Sequence, residues 1–304
     1  MFNKALVGID LIAIDTDIKS LEEINEVKKI QIGSKLLNGL SSEMKPELAK
    51  ESNMENYDEI KAALADTDIV FILAGLGGGT GSGASPIVAK IAKEIGALTI
   101  AIVTMPFKFE GKQRFKLAEF GLENIKKESD SVVVIQNEKH LPFINKNLAL
   151  KDAFKVIDVV VEEAINGMIG VLLSNEENDI NLDFYDLKMI MSHKGMALIG
   201  VGKYEGKNSA NEAIKQSIGS LFLEDVTLNE ATGILIHFTV HTDFPIVEIA
   251  EAMEVIYENA HYDVEVIFGV TTDTSLSKKY VKATMILTGF EKNYNVANNV
   301  KYEG

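Results

Sequence analysis

Apolar residues recur along this chain with two alternating periods. Short continuous runs at Ile9–Ile14, Ile30–Gly33, Ile69–Leu73, Leu98–Val103 and Val132–Ile135 have the length of buried strands. Between them apolar positions take helical spacing, at Ile87, Val88, Ile91 and Ile95 and again at Phe115, Ala118, Leu122 and Ile125. Glu47–Leu64 adds a helix, and the polar stretch Glu22–Lys29 a surface connection. Strands alternating with helices predict an α/β fold, a parallel sheet covered by helices on both faces. Ligands bind at the carboxyl ends of such strands. Asp15, the glycine-rich segment after Leu73, Thr104 and Asn137 all fall at those ends.

Asp152–Leu173 is a long helix in which Phe154, Val156, Ile157, Val160, Val161, Ile165, Met168 and Ile169 are apolar nearly all round, which predicts burial between two layers. A polar loop, Ser174–Asp179, separates it from a second α/β region. There the pattern predicts helices near Leu187–Gly200 and Asn208–Ser220, a strand at Gly233–Val240, a helix at Pro245–Asn259, and strands at Val264–Thr271 and Val281–Thr288. The expected division is therefore 1–150, a linking helix 151–174, a second domain 175–290 and a polar tail 291–304.

The segment between Leu73 and Ile87 holds six glycines in the nine residues Gly75–Gly83, with Thr80 and Ser82 among them. Strand, glycine segment and helix in that order form an anion site. Residues without Cβ let the backbone approach phosphate, and free N–H groups at a helix start point toward it. No lysine follows the glycines, so this is not a Walker A loop.

Composition narrows the function classes. The chain of 304 residues is 46% hydrophobic and 25% charged, as in globular proteins. A net charge of −15 argues against a general nucleic-acid binder and against attraction to anionic lipid. There are no cysteines, so disulfides and thiolate metal sites are excluded, and none of the five histidines forms a ligand-like pair. No dedicated metal site is expected. No apolar run approaches about 18 residues, so no membrane insertion is expected either.

Gly77-Gly78-Gly79-Thr80-Gly81-Ser82-Gly83 resembles the signature loop of the tubulin/FtsZ superfamily. Pro106-Phe107-Lys108-Phe109-Glu110-Gly111 and Asn181-Leu182-Asp183-Phe184-Tyr185-Asp186 resemble its FtsZ branch in particular, and the likeness runs from about Gly8 to Phe290. The resemblance implies a Rossmann-like GTP-binding domain joined by a core helix to a smaller α/β domain. It implies GTP or GDP as ligand, with Mg²⁺ inferred from the phosphate chemistry. Gly77, Gly78, Gly79, Thr80, Gly81 and Ser82 would hold phosphates. Thr104, Glu110 and Arg114 would hold ribose and nearby phosphates, and Asn137 the nucleoside. Phe154 would stack on guanine and Asp158 would accept from its N1–H and 2-amino group. Asn181, Asp183 and Asp186 would orient the attacking water in the pocket of the next subunit. Asp183 also fits a plain helix N-cap ahead of Leu187, Ile190 and Met191.

The resemblance further implies a cytoplasmic protein of the mid-cell division site that assembles head to tail with itself and meets other division proteins. The chain departs from the family at 38–47, where Ser41, Ser42, Glu43, Met44 and Lys45 replace small residues. Glu43 is expected to face solvent there. The family's first strand and first glycine-rich loop are not found ahead of Ile9, and a truncated or misassigned start is the expectation. Loss of that strand would leave the strands on either side with unpaired backbone. Met1–Val7 reads as the end of a helix, and no C-terminal linker or partner-recruiting peptide is found. A non-enzymatic scaffold or filament regulator of the same fold is the alternative. A nicotinamide-dependent oxidoreductase would explain only the glycine loop.

Overall fold

The structure, a computed structural model, describes residues 9–25, 27–38, 40, 42, 44–140, 150–173, 180–193, 195–220 and 228–290. The expected helix end at 1–7, Ser41 and Glu43, the polar loop 174–179 and the tail from 291 lie outside the described residues. The chain divides into two compact units, one reaching Glu138 and the other running from Lys139 to Phe290.

In the first unit, strands β1 (Ile12–Asp15) and β2 (Lys28–Gln31) pair in parallel, from Ile12 opposite Lys28 to Asp15 opposite Gln31. A second parallel ladder joins β3 (Ile69–Gly75), β4 (Leu98–Met105) and β5 (Ser131–Gln136). Its register sets Gly75 beside Thr104 and Met105 beside Gln136, so the carboxyl ends of three strands finish level. The single parallel sheet expected from the pattern is thus divided. Among the described residues, β1 hydrogen-bonds only to β2. All four residues of β1, and Ile69, Phe71, Leu73 and Ala74 of β3, are only half-buried.

Helix α1 (Ile18–Glu22), where the pattern gave none, starts because the Asp17 side chain accepts from the Lys19 N–H. A short α2 (Ser34–Leu37) follows. The helix expected over Glu47–Leu64 is two, α3 (Pro46–Glu55) and α4 (Tyr57–Ala63). It breaks at Asn56, whose side chain accepts the Gly33 N–H at 3.1 Å and donates to Glu59 at 2.8 Å. Those bonds compete with continuing the helix. Helix α5 (Gly79–Glu94) starts eight residues ahead of Ile87, inside the glycine segment and with Pro86 in its interior. Propensity argues against such a start; packing reverses it, as described below. Helix α6 (Lys112–Glu128) packs on α5, and α7 (Asn137–His140) follows β5 at once.

The second unit begins with α8 (Leu150–Leu173), which buries Ile157, Val161, Ile165, Met168 and Ile169. Burial is not all round, because Phe154 and Val159 are exposed. Helix α9 (Phe184–Met191) comes next, then β6 (Met196–Glu205) where the pattern gave a continuous helix to Gly200. The apolar run Met196–Val201 fits a buried strand as well as a helix. Close packing selects the strand: a Cβ at Gly202 would lie 1.9 Å from the Ala213 carbonyl oxygen, and one at Gly200 2.1 Å from that of Ser217. Those carbonyls belong to α10 (Ser209–Ser220). Strands β7 (Gly233–Val240), β8 (Glu265–Thr272) and β9 (Tyr280–Phe290) and helix α11 (Ile246–Asn259) complete the unit. Strand β9 lies between β6 and β7, antiparallel to both, and β8 pairs in parallel with β7.

Gly202→Ala should therefore force α10 off β6 and destabilise the protein by about 1–3 kcal/mol. Urea denaturation of the variant beside the parent measures this; an unchanged midpoint would contradict the seating described.

Candidate functional site

Helix α5 can begin within the glycines because they let it sit against other backbone. A Cβ at Gly81 would lie 2.0 Å from the Gly75 carbonyl oxygen, and one at Gly83 2.1 Å from that of Pro46. Any larger residue would lift the helix off the end of β3 or off α3. Gly77 makes the preceding turn at φ +102°, a conformation that L side chains rarely adopt, and its N–H donates to Ser82 Oγ at 2.9 Å. Leu76 N–H donates to the Thr104 carbonyl at 2.9 Å, which ties the turn to the end of β4.

The result is a helix N-terminus whose cap residue, Gly78, makes no side-chain hydrogen bond. The first-turn amides of a helix need acceptors from outside it, and the helix dipole places about half a positive charge there. A cavity of about 430 Å³ opens at this point, lined by Gly78, Gly79, Thr80, Gly81, Arg114, Asp15, Asp17, Ser20 and Met44. A Cβ at Gly78 would meet nothing within 4 Å. The arrangement suits a phosphate.

A network of hydroxyls borders the cavity. The Thr80 hydroxyl donates to Asp15 Oδ1 at 3.1 Å and lies 3.2 Å from Ser42 Oγ and 3.4 Å from Thr16 Oγ1. Thr16 and Ser42 are buried, and the Ser42 N–H donates to Thr16 Oγ1 at 3.1 Å.

The residues expected from sequence distribute as follows. Gly78, Gly79, Thr80, Gly81 and Arg114 line one cavity, whereas Gly77 and Ser82 form the turn beneath it and bond to each other. Thr104 stands at the end of β4 beside Gly75. Glu110 is engaged at both oxygens, accepting the Phe107 N–H at 2.9 Å and Arg114 Nη1 at 2.9 Å. Asn137 is 4% exposed, and its Oδ1 finds no donor among the described residues.

Phe154 and Asp158 lie on α8 in the second unit; Phe154 is exposed, and Asp158 is half-buried with no hydrogen bond or ion pair among the described residues. Asp183 caps the start of α9 with Asp186 in its first turn, and Asn181 lies two residues ahead of the cap. Leu182, 3% exposed, anchors the loop against Gly269 of β8, and the Val270 N–H donates to the Ile180 carbonyl at 2.9 Å. Asp183 Oδ1 accepts the N–H groups of Tyr185 and Asp186 at 2.7 and 3.0 Å, and Asp186 Oδ2 accepts the Asp183 N–H at 2.8 Å. This reciprocal cap leaves Asp183 Oδ2 and Asp186 Oδ1 without a partner among the described residues.

Asp17, Ser20 and Met44 line the cavity but carry no motif in the sequence. In the sequence Asp17 only closes the strand Ile9–Ile14, and Met44 shows only as a departure in the 38–47 loop. Among the described residues no group of three or more His, Cys, Asp or Glu side chains could hold a metal ion unaided.

Comparison with known proteins follows the same division. A family model described as Tubulin/FtsZ family, GTPase domain, matches residues 4–145, and one described as FtsZ family, C-terminal domain, matches 195–291. The chain is 37% identical to the cell division protein FtsZ of Aquifex aeolicus, covering 100% of this chain and 82% of that protein. It is 40% identical to the FtsZ of Helicobacter pylori strain J99, covering 94% and 74%. Among solved structures, an empty FtsZ dimer from M. jannaschii matches with a TM-score of 0.82 at 41% identity, over 91% of this chain and 80% of that one. A GTPγS-bound protofilament of CetZ2 from Haloferax volcanii, at 20% identity and a TM-score of 0.79 over 95% and 86%, shares the fold.

Two glycines should respond differently to the same substitution. Gly78→Val, with its Cβ in open space, should keep the fold while losing anion binding, whereas Gly81→Val should destabilise the protein by about 1–3 kcal/mol or more. Thermal melts with and without nucleotide separate the cases; equal destabilisation of both variants would contradict the geometry.

Proposed function

The chain belongs to the tubulin/FtsZ family, and from that premise we propose that it is an FtsZ-type GTPase of cell division. It binds GTP and GDP, assembles head to tail with copies of itself and hydrolyses GTP where two copies meet. The observation that carries the nucleotide reading is the uncapped start of α5, opening on a cavity lined by its own first residues.

In this reading the N–H groups of Gly78, Gly79, Thr80 and Gly81 hold the phosphates, and Gly77 and Ser82 fix the turn that aims them. Arg114 donates to phosphate from a position set by Glu110, while Thr104 and Glu110 meet the ribose. The buried Oδ1 of Asn137, without a donor among the described residues, accepts from a nucleoside donor. Phe154, whose ring is exposed on α8, stacks on the base. Asp158, without a hydrogen bond or ion pair among the described residues, accepts from adjacent guanine N–H groups, which adenine does not offer as a pair.

Asp183 and Asp186 act on the nucleotide of the neighbouring copy. Each carboxylate is fixed through one oxygen by the cap of α9, and its other oxygen has no partner among the described residues. Such a pair orients a water and polarises it, with Asn181 beside it, and no covalent intermediate is required. The oxygen-rich lining of Asp15, Thr80 and Ser20 suits a hard cation, and Mg²⁺ would neutralise charge on the phosphates. Other division proteins are further partners, and the cytoplasmic division site at mid-cell is the proposed location.

Asp183→Asn separates capping from catalysis, because asparagine caps a helix about as well as aspartate. The variant should match the parent in stability within about 0.5 kcal/mol, bind GTP, and lose turnover by roughly a hundredfold or more. Turnover at the parental rate would reduce Asp183 to a cap.

A further inference from the structure

Helix α9 carries the aspartate cap at its front, yet it is only eight residues long. Two turns do not hold themselves together in water, so packing has to keep the helix formed. Its front is tied to β8, by Leu182 against Gly269 and by the bond from the Val270 N–H to the Ile180 carbonyl. Its rear returns to the same strand. His193, two residues past the end of α9, reaches Glu265 Oε2 through Nε2 at 2.9 Å and Thr232 Oγ1 through Nδ1 at 3.0 Å.

Both partners of the ring are themselves fixed. Glu265 opens β8 and Thr232 directly precedes β7. The Glu265 N–H donates to the Thr232 carbonyl at 3.1 Å, and the Thr232 N–H donates to the Thr288 carbonyl at 2.9 Å. A carboxylate only accepts, so the neutral ring carries its proton on Nε2, and Nδ1 accepts from the Thr232 hydroxyl. Gly233 makes room for the ring, since a Cβ there would lie 3.0 Å from His193 Cδ2. Leu187, Ile190 and Met191 already bury the underside of α9. Apolar packing is non-directional, and directional hydrogen bonds at the ring remove the tilt and rotation that it leaves free.

We infer that His193 is a positioning residue for GTP hydrolysis: by clamping the rear of α9 to Glu265 and Thr232, it holds Asp183 and Asp186 in the orientation that the neighbouring copy's nucleotide requires. The ring is roughly 15 Å of helix away from Asp183 and acts only through it. In so short a helix the last turn adjoins the one that the cap closes. A loosened rear frays that turn, and the Tyr185 and Asp186 N–H groups that hold Asp183 Oδ1 lose their fixed direction. Catalysis by positioning is sensitive to such shifts, about 1 Å costing up to roughly a hundredfold in rate. The inference rests on the reading that these aspartates act on the nucleotide of a neighbouring copy.

His193→Ala, Asp183→Asn and the double variant test it, with GTP affinity and kcat measured for each. His193→Ala should bind GTP within about twofold of the parent and lose roughly tenfold in kcat. His193→Gln, which keeps a donor for Glu265, should recover to within roughly threefold of the parental kcat. Because His193 acts through the aspartates, the loss in the double variant should fall well short of the product of the two single losses. Should His193→Ala not fold, Glu265→Ala removes one end of the clamp and should show the same selective loss of kcat at smaller size. Losses that multiply, or a GTP affinity that falls along with kcat, would make His193 a general structural residue and overturn the inference. Parental kcat in both His193→Ala and Glu265→Ala, beside a slowed Asp183→Asn, would overturn it while leaving the reading of the aspartate loop intact. Parental kcat in Asp183→Asn would overturn that reading and the inference with it.

Discussion

Helix α5 presses its first turns directly onto backbone carbonyls, and most of the first unit is arranged around that contact. Two missing side chains make it possible, at Gly81 above the Gly75 carbonyl and at Gly83 above that of Pro46. Seated this way, the helix starts at the end of β3 with its amides unspent. The turn ahead of it is held by the Gly77–Ser82 bond and by Leu76 on Thr104. Level strand ends then bring Thr104 and Asn137 to the same edge of the sheet. Glycine is costly in a helix, about 1 kcal/mol per residue against alanine. A helix that opens with three of them in its first five positions forms because its packing offsets that cost.

The second unit solves a different problem, which is to hold two carboxylates steady at a surface. Leu182 buries its side chain against β8, which contributes about 1.5–3 kcal/mol and fixes the loop from below. The mutual cap of Asp183 and Asp186 fixes it from above. Capping and catalysis are often read as rival explanations of an aspartate. Here each carboxylate has two oxygens, and the cap uses one of each. A side chain immobilised through one oxygen presents the other with little entropy left to lose, as positioning catalysis requires.

The strands of the first unit were legible because parallel strands covered on both faces are written as continuous apolar runs, as in Leu98–Val103. That same signal misled at Met196–Val201, where the run is equally compatible with a helix and the deciding fact is the fit of Gly200 and Gly202 beneath α10. The start of α5 and the break at Asn56 were illegible for a related reason. Both depend on contacts with residues far along the chain, Pro46 in one case and Gly33 in the other. Of the candidate site, the glycine segment carried a strong local pattern. Asp17 and Ser20 reach the cavity only through the fold, and nothing in their neighbours marks them as site residues, while Met44 shows only as a departure in the 38–47 loop.

The central claim is that one catalytic site is divided between two copies of the chain, and mixing two defective proteins tests it most directly. Gly78→Val lacks a phosphate pocket but keeps the aspartate loop; Asp183→Asn keeps the pocket but lacks the loop's full charge. In a head-to-tail assembly each interface pairs the pocket of one copy with the loop of the next, so random equimolar mixing leaves about a quarter of interfaces intact. GTP turnover in the mixture, absent from either variant alone, should rise toward about a quarter of the parental rate at the same total concentration. A mixture as inactive as its components, with co-assembly verified by sedimentation, would contradict a shared site.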